Sequence, residues 1–174
     1  MPEVFIGIGS NVDRDVNIAR GLAVLQAHFG SLRLSPVYLS EAVGFAGDDF
    51  LNLVAAFHTE LTVAELSVAL RNIERDHGRL DNAPKFSARA LDLDILLYGD
   101  ACGVIDGVQL PRAEVLYNAF VLKPLSDLEP QRLHPGEGRT FLALWQELSA
   151  ETRQRLEPYQ FSATETGSGH RPPQ

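Results

Sequence analysis

The sequence has few of the features that mark secreted or membrane proteins. Cys102 is the single cysteine, so no disulfide can form within the chain and a reducing compartment is expected. The longest apolar stretches, such as residues 50–57, are too short and too interrupted to cross a bilayer. The first residues lack the basic start and apolar run of a secretory signal. We therefore expect a cytoplasmic protein with no membrane contact.

Positive charge is also scarce. The chain has 15 Lys and Arg residues against 23 Asp and Glu residues, which gives a formal net charge of -8. A nucleic-acid surface needs a basic face, so we expect no nucleic-acid partner. Arginines or metal ions could still bind an anionic small molecule locally.

Common catalytic signatures are missing as well. The sequence has no P-loop ending in Gly-Lys-Ser/Thr, and no Ser/His/Asp or Cys/His arrangement has local support. Phosphate chemistry would therefore depend on arginines and metal ions. The five histidines show no metal-ligand spacing; they are His28, His58, His77, His134 and His170.

The length and composition favour one domain. With 174 residues, 45% of them apolar, the chain can bury a single core. We expect this domain to span residues 1–158. The segment 159–174 is rich in Ser, Thr, Gly and Pro and is predicted to be a disordered tail. For the assembly we expect a monomer or a weak dimer.

The most informative stretch is an acid-bearing strand at residues 89–98. Apolar side chains at every second position from Leu91 to Leu97 follow the period of a β-strand. Asp92 and Asp94 then share the other face, with Cα atoms about 7 Å apart. The alternative is a solvated face that happens to carry two acids. Leu96 continues the acidic face, so the strand is apolar on one face and on part of the other, and we expect it to be central in its sheet. Unpaired acids are rare in central strands, and we therefore favour a magnesium site.

A second polar feature is Asn52, which interrupts the apolar run 50–57. A buried amide without a partner would cost about 1–3 kcal/mol. Asn52 therefore either bonds to a backbone group or contacts a polar ligand.

Residues 79–89 form a predicted loop without periodicity, next to the acidic strand. It contains Arg79, Lys85 and Arg89. These cations could form surface salt bridges, each giving about 0–1 kcal/mol. Alternatively, they could contact phosphate oxygens that a metal does not hold.

Hydrophobic periodicity predicts further strands and helices elsewhere in the chain. The expected elements are a strand at 4–9, a helix through Ile18, Leu22, Leu25 and Phe29 that ends at Gly30, a strand at 32–39 with an edge or bulge at Pro36, a strand at 50–57, a helix at 62–77 that begins with a capping box, a hairpin at 100–107, a helical segment from about 115, and a last helix that is capped by Thr140 and whose apolar side includes Leu144, Leu148 and Leu156.

These segments together resemble the 6-hydroxymethyl-7,8-dihydropterin pyrophosphokinases, a family of folate-biosynthesis enzymes. The resemblance covers about residues 3 to 150. The Arg-x-x-Asp-x-Asp motif is specific when it occurs together with the other matching segments. It implies an α+β, ferredoxin-like fold, a mostly antiparallel sheet with helices packed on both faces. The matching residues are Phe5-Ile6-Gly7-Ile8-Gly9-Ser10-Asn11, Phe50-Leu51-Asn52, Glu74, Gly78-Arg79, residues 89–99, Ala119-Phe120-Val121-Leu122 and Pro124-Leu125.

The resemblance implies an activity, the transfer of the terminal diphosphate of ATP to the hydroxymethyl group of the pterin with release of AMP. Asp92 and Asp94 would hold two magnesium ions that bridge the triphosphate. Arg79 and Arg89 would neutralise charge on the moving diphosphate. The other implied contacts are Ser40, Ala42, Val43, Phe50, Asn52 and Phe120 for the pterin, and Glu74, Lys85, Ile95 and Arg112 for the nucleotide.

Some positions depart from the family pattern. Arg112 stands where a nucleotide-contacting His is usual, Asn118 where an arginine is usual, and Asp81 at a commonly basic loop position. We therefore expect weaker ATP binding than in a typical member. One alternative is a divergent relative that binds a pterin or uses another alcohol. Another is a ferredoxin-like regulatory or nucleic-acid-binding module, against which the acidic charge counts.

Overall fold

A ferredoxin-like antiparallel sheet organises the computed structural model, which describes residues 1–41, 48–78, 90–152 and 154–161. The elements in chain order are β1 (Glu3–Ser10), α1 (Arg14–Phe29), β2 (Arg33–Leu34), β3 (Val37–Ser40), β4 (Phe50–His58), α2 (Val63–Asp76), β5 (Asp92–Tyr98), β6 (Gly103–Ile105), β7 (Val108–Leu110), a 3₁₀ helix (Ala113–Leu116), α3 (Ala119–Leu128), α4 (Phe141–Glu151) and β8 (Leu156–Tyr159).

The strand order of the main sheet is β5-β1-β4-β3-β8, and β2 also pairs with β4. The pairings are antiparallel. If β2 and β3 are taken as two parts of one strand, the order from β1 to β5 is β-α-β-β-α-β. This order, with β1 and β4 inside the sheet, is the ferredoxin-like arrangement. The predicted fold class is confirmed.

Successive side chains of a strand point to opposite faces, so this sheet supports two cores. On one face α1 and α2 pack through residues such as Leu22 and Leu70. On the other face α3 and α4 pack through Leu122 and Phe141 against Phe5. Helices therefore cover both faces, as the sequence predicts.

Local signals placed several elements correctly. Helix α1 ends at Gly30, whose φ of 85° suits glycine. Helix α2 begins with a complete capping box between Thr62 and Glu65. The hairpin predicted at 100–107 is observed at 103–110, where β6 and β7 are joined at Asp106 and Gly107, both with positive φ. Among the residues that the structure describes, no helix has the length and apolar character needed to cross a membrane.

The prediction of a central acidic strand is wrong, because β5 pairs with β1 alone in the described part of the chain. Other elements satisfy its outer edge. The N–H of Leu93 donates to Glu74 Oε2 at 2.7 Å. The N–H and Nε–H of Arg112 donate to the carbonyls of Leu96 and Ile95 at 3.0 and 3.1 Å. Covered in this way, an edge strand can be apolar on both faces.

Strict alternation along β5 is also wrong beyond Ile95. The register with β1 shifts between Phe5 and Ile6, and Leu96 and Leu97 both pack into the core under α3 and α4. A β-bulge places two consecutive side chains on one face in this way. Leu97 therefore does not share a face with Leu93.

Two further differences concern short strands. The predicted strand at 32–39 is divided into β2 and β3 at Ser35 and Pro36, where the sequence predicts an edge or a bulge. There the hydroxyl of Ser35 accepts the N–H of Val54 at 2.8 Å. Leu156 lies in β8 and not on the apolar side of α4, and the sequence did not predict β8.

Candidate active site

Asp92 and Asp94 project from the same face of β5, as predicted. Their partners on β1 are Gly9 and Gly7. A Cβ atom at Gly7 would lie 3.3 Å from the side chain of Leu96, so Gly7 is needed for packing. The side chain of Asp94 is 41% exposed. Both aspartates are half-buried and lie beside the glycine backbone of β1.

A row of residues extends from this pair across four strands. Asp92 pairs with Gly9, Gly9 with Asn52, and Asn52 with Tyr38. Adjacent strands lie roughly 4.8 Å apart, so the Cα atoms of Asp92 and Asn52 are about 10 Å apart. The row places the acidic pair and a buried amide on opposite sides of Gly9.

The amide of Asn52 is fixed by a side chain and not by the backbone. Its Nδ2 donates to Ser40 Oγ at 2.7 Å, and both residues are buried. A Cβ atom at Gly9 would lie 3.5 Å from Asn52 Oδ1 and 3.7 Å from Phe50 Cδ1. The amide oxygen and the aromatic ring therefore flank Gly9. The predicted contacts of Asn52 and Ser40 with a ligand stay predictions.

Tyr38, which the sequence analysis missed, links this row to α3. Its hydroxyl donates to Asp127, which also accepts Lys123 Nζ at 2.9 Å. Burial and the hydrogen bond to Asp127 raise the pKa of Tyr38 well above its usual value. Tyr38 has the same parity on its strand as Ser40, which is the one sequence signal that could have identified it.

Phe50 and Phe120 lie at the ends of elements that border the row. Phe50 begins β4, and Phe120 is in the first turn of α3. Both are half-buried, and neither belongs to the two core clusters of the described residues. Aromatic rings that are partly exposed and outside the core suit stacking against a flat ligand. Their stacking role stays a prediction.

The predicted nucleotide contacts Glu74, Ile95 and Arg112 surround β5. Glu74 is 1% exposed, and its Oε2 accepts the N–H of Leu93, so it supports the acidic strand. The Nε–H of Arg112 donates to the carbonyl of Ile95, which leaves Nη2 3.8 Å from Asp94 Oδ1. Contact of these residues with a nucleotide is not tested by this geometry.

Several predicted site residues lie outside the described part of the chain. They are Ala42, Val43, Arg79, Lys85 and Arg89, together with the departure at Asp81.

The oxygen donors that the structure does place suit magnesium. Among the described residues, no group of three or more His, Cys, Asp or Glu side chains could hold a metal ion. Magnesium does not need such a group, because it usually takes one or two carboxylates and completes its shell with water and phosphate. The half-buried carboxylates of Asp92 and Asp94 fit this requirement.

Fold and site together define a ferredoxin-like α+β protein. One face of its sheet carries the acidic pair Asp92 and Asp94, and the same face carries the amide of Asn52 beside the ring of Phe50. Residues 5–130 match the family described as 7,8-dihydro-6-hydroxymethylpterin-pyrophosphokinase (HPPK), and the chain belongs to this family.

Similar proteins carry matching names. Over 137 residues the chain is 34% identical to the 2-amino-4-hydroxy-6-hydroxymethyldihydropteridine pyrophosphokinase of Aquifex aeolicus, covering 78% of this chain and 85% of the relative. It is 34% identical over 140 residues to the protein of the same name from Pseudomonas aeruginosa, with the same coverage. It is 36% identical over 129 residues to a folate synthesis bifunctional protein of Arabidopsis thaliana, covering 72% of this chain and 27% of that one.

The fold is also similar to a solved structure, that of wild-type HPPK-DHPS from Plasmodium falciparum. The TM-score is 0.65 at 11% identity, covering 86% of this chain and 45% of that chain. This chain thus spans less than half the length of that protein. At this identity the likeness concerns the fold alone.

Proposed function

We propose that this chain transfers the terminal diphosphate of ATP to the hydroxymethyl group of 6-hydroxymethyl-7,8-dihydropterin and releases AMP. Membership of the HPPK family supports this reaction. The observation that carries the proposal is the row on the sheet face, with Asp92 and Asp94 on one side of Gly9 and Asn52 and Phe50 on the other. The acidic end, with Asp92 and Asp94, suits a metal-bound phosphate chain. The end with Asn52 and Phe50 suits a flat polar ring.

At the acidic end, Asp92 and Asp94 would hold magnesium, and we propose two ions. The two carboxylates provide four oxygens on one face, so each magnesium ion could bind an oxygen from both aspartates. When bound, the magnesium ions supply positive charge for the triphosphate oxygens. Arg79, Lys85 and Arg89 are proposed to contact oxygens that the metal does not hold. Arg112 is a described cation at this end, 3.8 Å from Asp94.

At the other end, the pterin would lie over Gly9 and stack between Phe50 and Phe120. The hydrogen bond to Ser40 holds the amide of Asn52 so that Oδ1 lies beside Gly9, where it can accept an N–H of the pterin. A flat heteroaromatic ring needs this combination of aromatic faces and directed polar groups. The backbone of residues 40–43 is proposed to complete the match.

The reaction itself needs positioning and charge more than a strong base. The hydroxymethyl oxygen forms a bond to the β-phosphorus of ATP, and the bond from this phosphorus to the bridging α–β oxygen breaks. AMP leaves with that oxygen, and the hydroxyl proton passes to solvent. The separation of about 10 Å between Asp92 and Asn52 leaves room for the pterin on the Asn52 side, with its hydroxymethyl group directed at the phosphates.

The contact between Arg112 and Asp94 favours a second candidate, a divergent member that binds a pterin but uses ATP weakly. A cation beside the acidic pair competes with metal binding there. We also propose that residues 1–158 act as one domain, as a cytoplasmic monomer or weak dimer.

The experiment is an assay for AMP with ATP, magnesium and 6-hydroxymethyl-7,8-dihydropterin, alongside calorimetry of pterin binding. We expect AMP to form when both substrates are present and not with ATP alone. Pterin binding without AMP would favour the divergent member. Absence of both would refute the proposed function.

A further inference from the structure

The segment just before β8 lies beyond the family match at residues 5–130, yet it contacts the helix that carries Phe120. Gln154 Oε1 accepts the N–H of Ala119 at 2.6 Å, and its Nε2 donates to the carbonyl of Tyr117 at 3.3 Å. The side chain of Asn118 makes no capping hydrogen bond. Gln154 therefore acts as the cap of α3 and fixes the turn in which Phe120 lies.

The next residue, Arg155, contacts the strands that carry Phe50. Its Nη2 lies 2.6 Å from Asp49 Oδ2, and its Nε lies 3.2 Å from Glu41 Oε1. Asp49 directly precedes Phe50, and Glu41 directly follows Ser40. Phe50 and Ser40 are register partners on β4 and β3. One guanidinium therefore joins the adjoining ends of these two strands.

Two consecutive residues thus contact the start of the helix that carries Phe120 and the strand ends that carry Phe50 and Ser40. The segment is anchored in turn, because β8 pairs with β3 and Leu156 stands opposite Ser40. Affinity for a ring stacked between two aromatic side chains depends on the spacing of those side chains. Contacts that fix this spacing in the free protein reduce the conformational entropy that the side chains lose on binding.

We propose that Gln154 and Arg155 are positioning residues that hold Phe120 and Phe50 at the spacing that the pterin ring needs. The proposal rests on the proposed function, since it assigns these residues to its pterin surface. It predicts that their loss weakens pterin binding selectively and leaves the acidic end unaffected.

The test uses Gln154→Ala, Arg155→Ala and the double variant, with calorimetry of 6-hydroxymethylpterin binding without nucleotide and with steady-state kinetics. We expect the pterin Kd and KM to rise about tenfold in the double variant, because binding must then order the two aromatic side chains. The KM for ATP, and kcat at saturating pterin, should stay within about twofold of the wild-type values. Exposed ion pairs contribute little to stability, so the single variants should fold.

Conservative variants separate positioning from general damage. Gln154→Glu keeps an acceptor for the Ala119 N–H at a helix N-terminus but loses the donor to the Tyr117 carbonyl, so it should restore pterin affinity in part. Arg155→Lys can reach one carboxylate and should restore it in part. The matched control is Arg139→Ala, which removes an exposed ion pair of 2.7 Å with Glu147 and should leave pterin affinity unchanged.

Three outcomes overturn the inference or its basis. If the wild type neither forms AMP nor binds pterin, the proposed function fails. If the wild type binds pterin and the double variant binds it equally well, the inference fails while the proposed function stands. Equal loss of ATP and pterin affinity, or no recovery in Gln154→Glu, would assign these residues a general structural role and would also overturn it.

Discussion

The sheet face that carries the site is divided into a covered half and an open half. In the covered half Phe5 and Val54 are at most 1% exposed beneath α3 and α4. In the open half, which is the part outside the α3–α4 core, the same two strands carry Gly9 and Asn52, which are buried but belong to neither core cluster. Strand β5 changes in the same way, from Leu96 in the core to the acidic pair. Packing is concentrated in one half, and groups that can contact ligands lie in the other.

Helix α3 crosses the border between the two halves. Leu122 is fully buried in the covered half, while Phe120, two residues earlier, is half-buried and outside the core. The link from Tyr38 to Asp127 ties this helix to the row of site residues. If the comparison is correct, substitutions in the two halves should affect different measurements.

The largest effect is expected for Asp92→Ala or Asp94→Ala in the open half. Each removes a proposed magnesium ligand, so turnover should be lost while the melting temperature is unchanged or raised by relief of repulsion. The measurement is the magnesium dependence of the rate beside thermal melts. Asp100→Ala is the control, because that acid is 93% exposed just beyond the strand. A variant at Asp92 or Asp94 that keeps more than about a tenth of the rate, about 1.4 kcal/mol of barrier, would exclude the metal assignment.

In the covered half, Leu122→Ala should act on stability. The side chain is fully buried, so the change should lower the free energy of unfolding by about 2–5 kcal/mol. The kcat of the folded variant should stay close to that of the wild type. Urea denaturation gives the stability, and Val121→Ala, at a half-buried neighbour, should cost less. Loss of kcat without loss of stability would mean that the two halves are not separable.

At the border, Phe50→Ala and Phe120→Ala should each weaken pterin binding. Stacking of a base on an aromatic ring contributes about 1–3 kcal/mol, and a pterin is comparable. ATP binding should barely change. The control is Phe29→Ala, since Phe29 is half-buried on the opposite face and stacks on Phe57 with ring centroids 4.3 Å apart. Similar losses for both ligands would show that Phe50 and Phe120 belong to the core.

The same division explains what the sequence could predict. Covered strands and helices follow simple periods, and β1, β4 and α2 could be predicted from them. The edge position of β5 could not, because Glu74 and Arg112 replace a neighbouring strand through contacts distant in sequence.

The sequence predicted which residues belong to the candidate site better than it predicted how they are arranged. Asp92, Asp94 and Asn52 stand out as polar residues in apolar strands. Their alignment across Gly9 follows from strand order and register, which no local pattern contains. Strand β8 was missed because it is four residues long and contains Pro158, and its contribution is made through Gln154 and Arg155 in the irregular segment before it.

The smallest expected effect comes from restoring charge at the border, with Asn118→Arg. Asn118 stands where the resemblance to the family predicts an arginine, and Gln154 already accepts the N–H of Ala119, so the change should not remove a helix cap. ATP with magnesium should bind about 1 kcal/mol more tightly, between the 0–1 of exposed ion pairs and the 1.5–3 of desolvated ones. Calorimetry with ATP and with pterin measures both affinities, and Asn118→Gln controls for side-chain length. Because the pterin surface is unchanged, its affinity should stay constant. Unchanged or weaker ATP binding in Asn118→Arg would show that this position does not face the triphosphate in this chain.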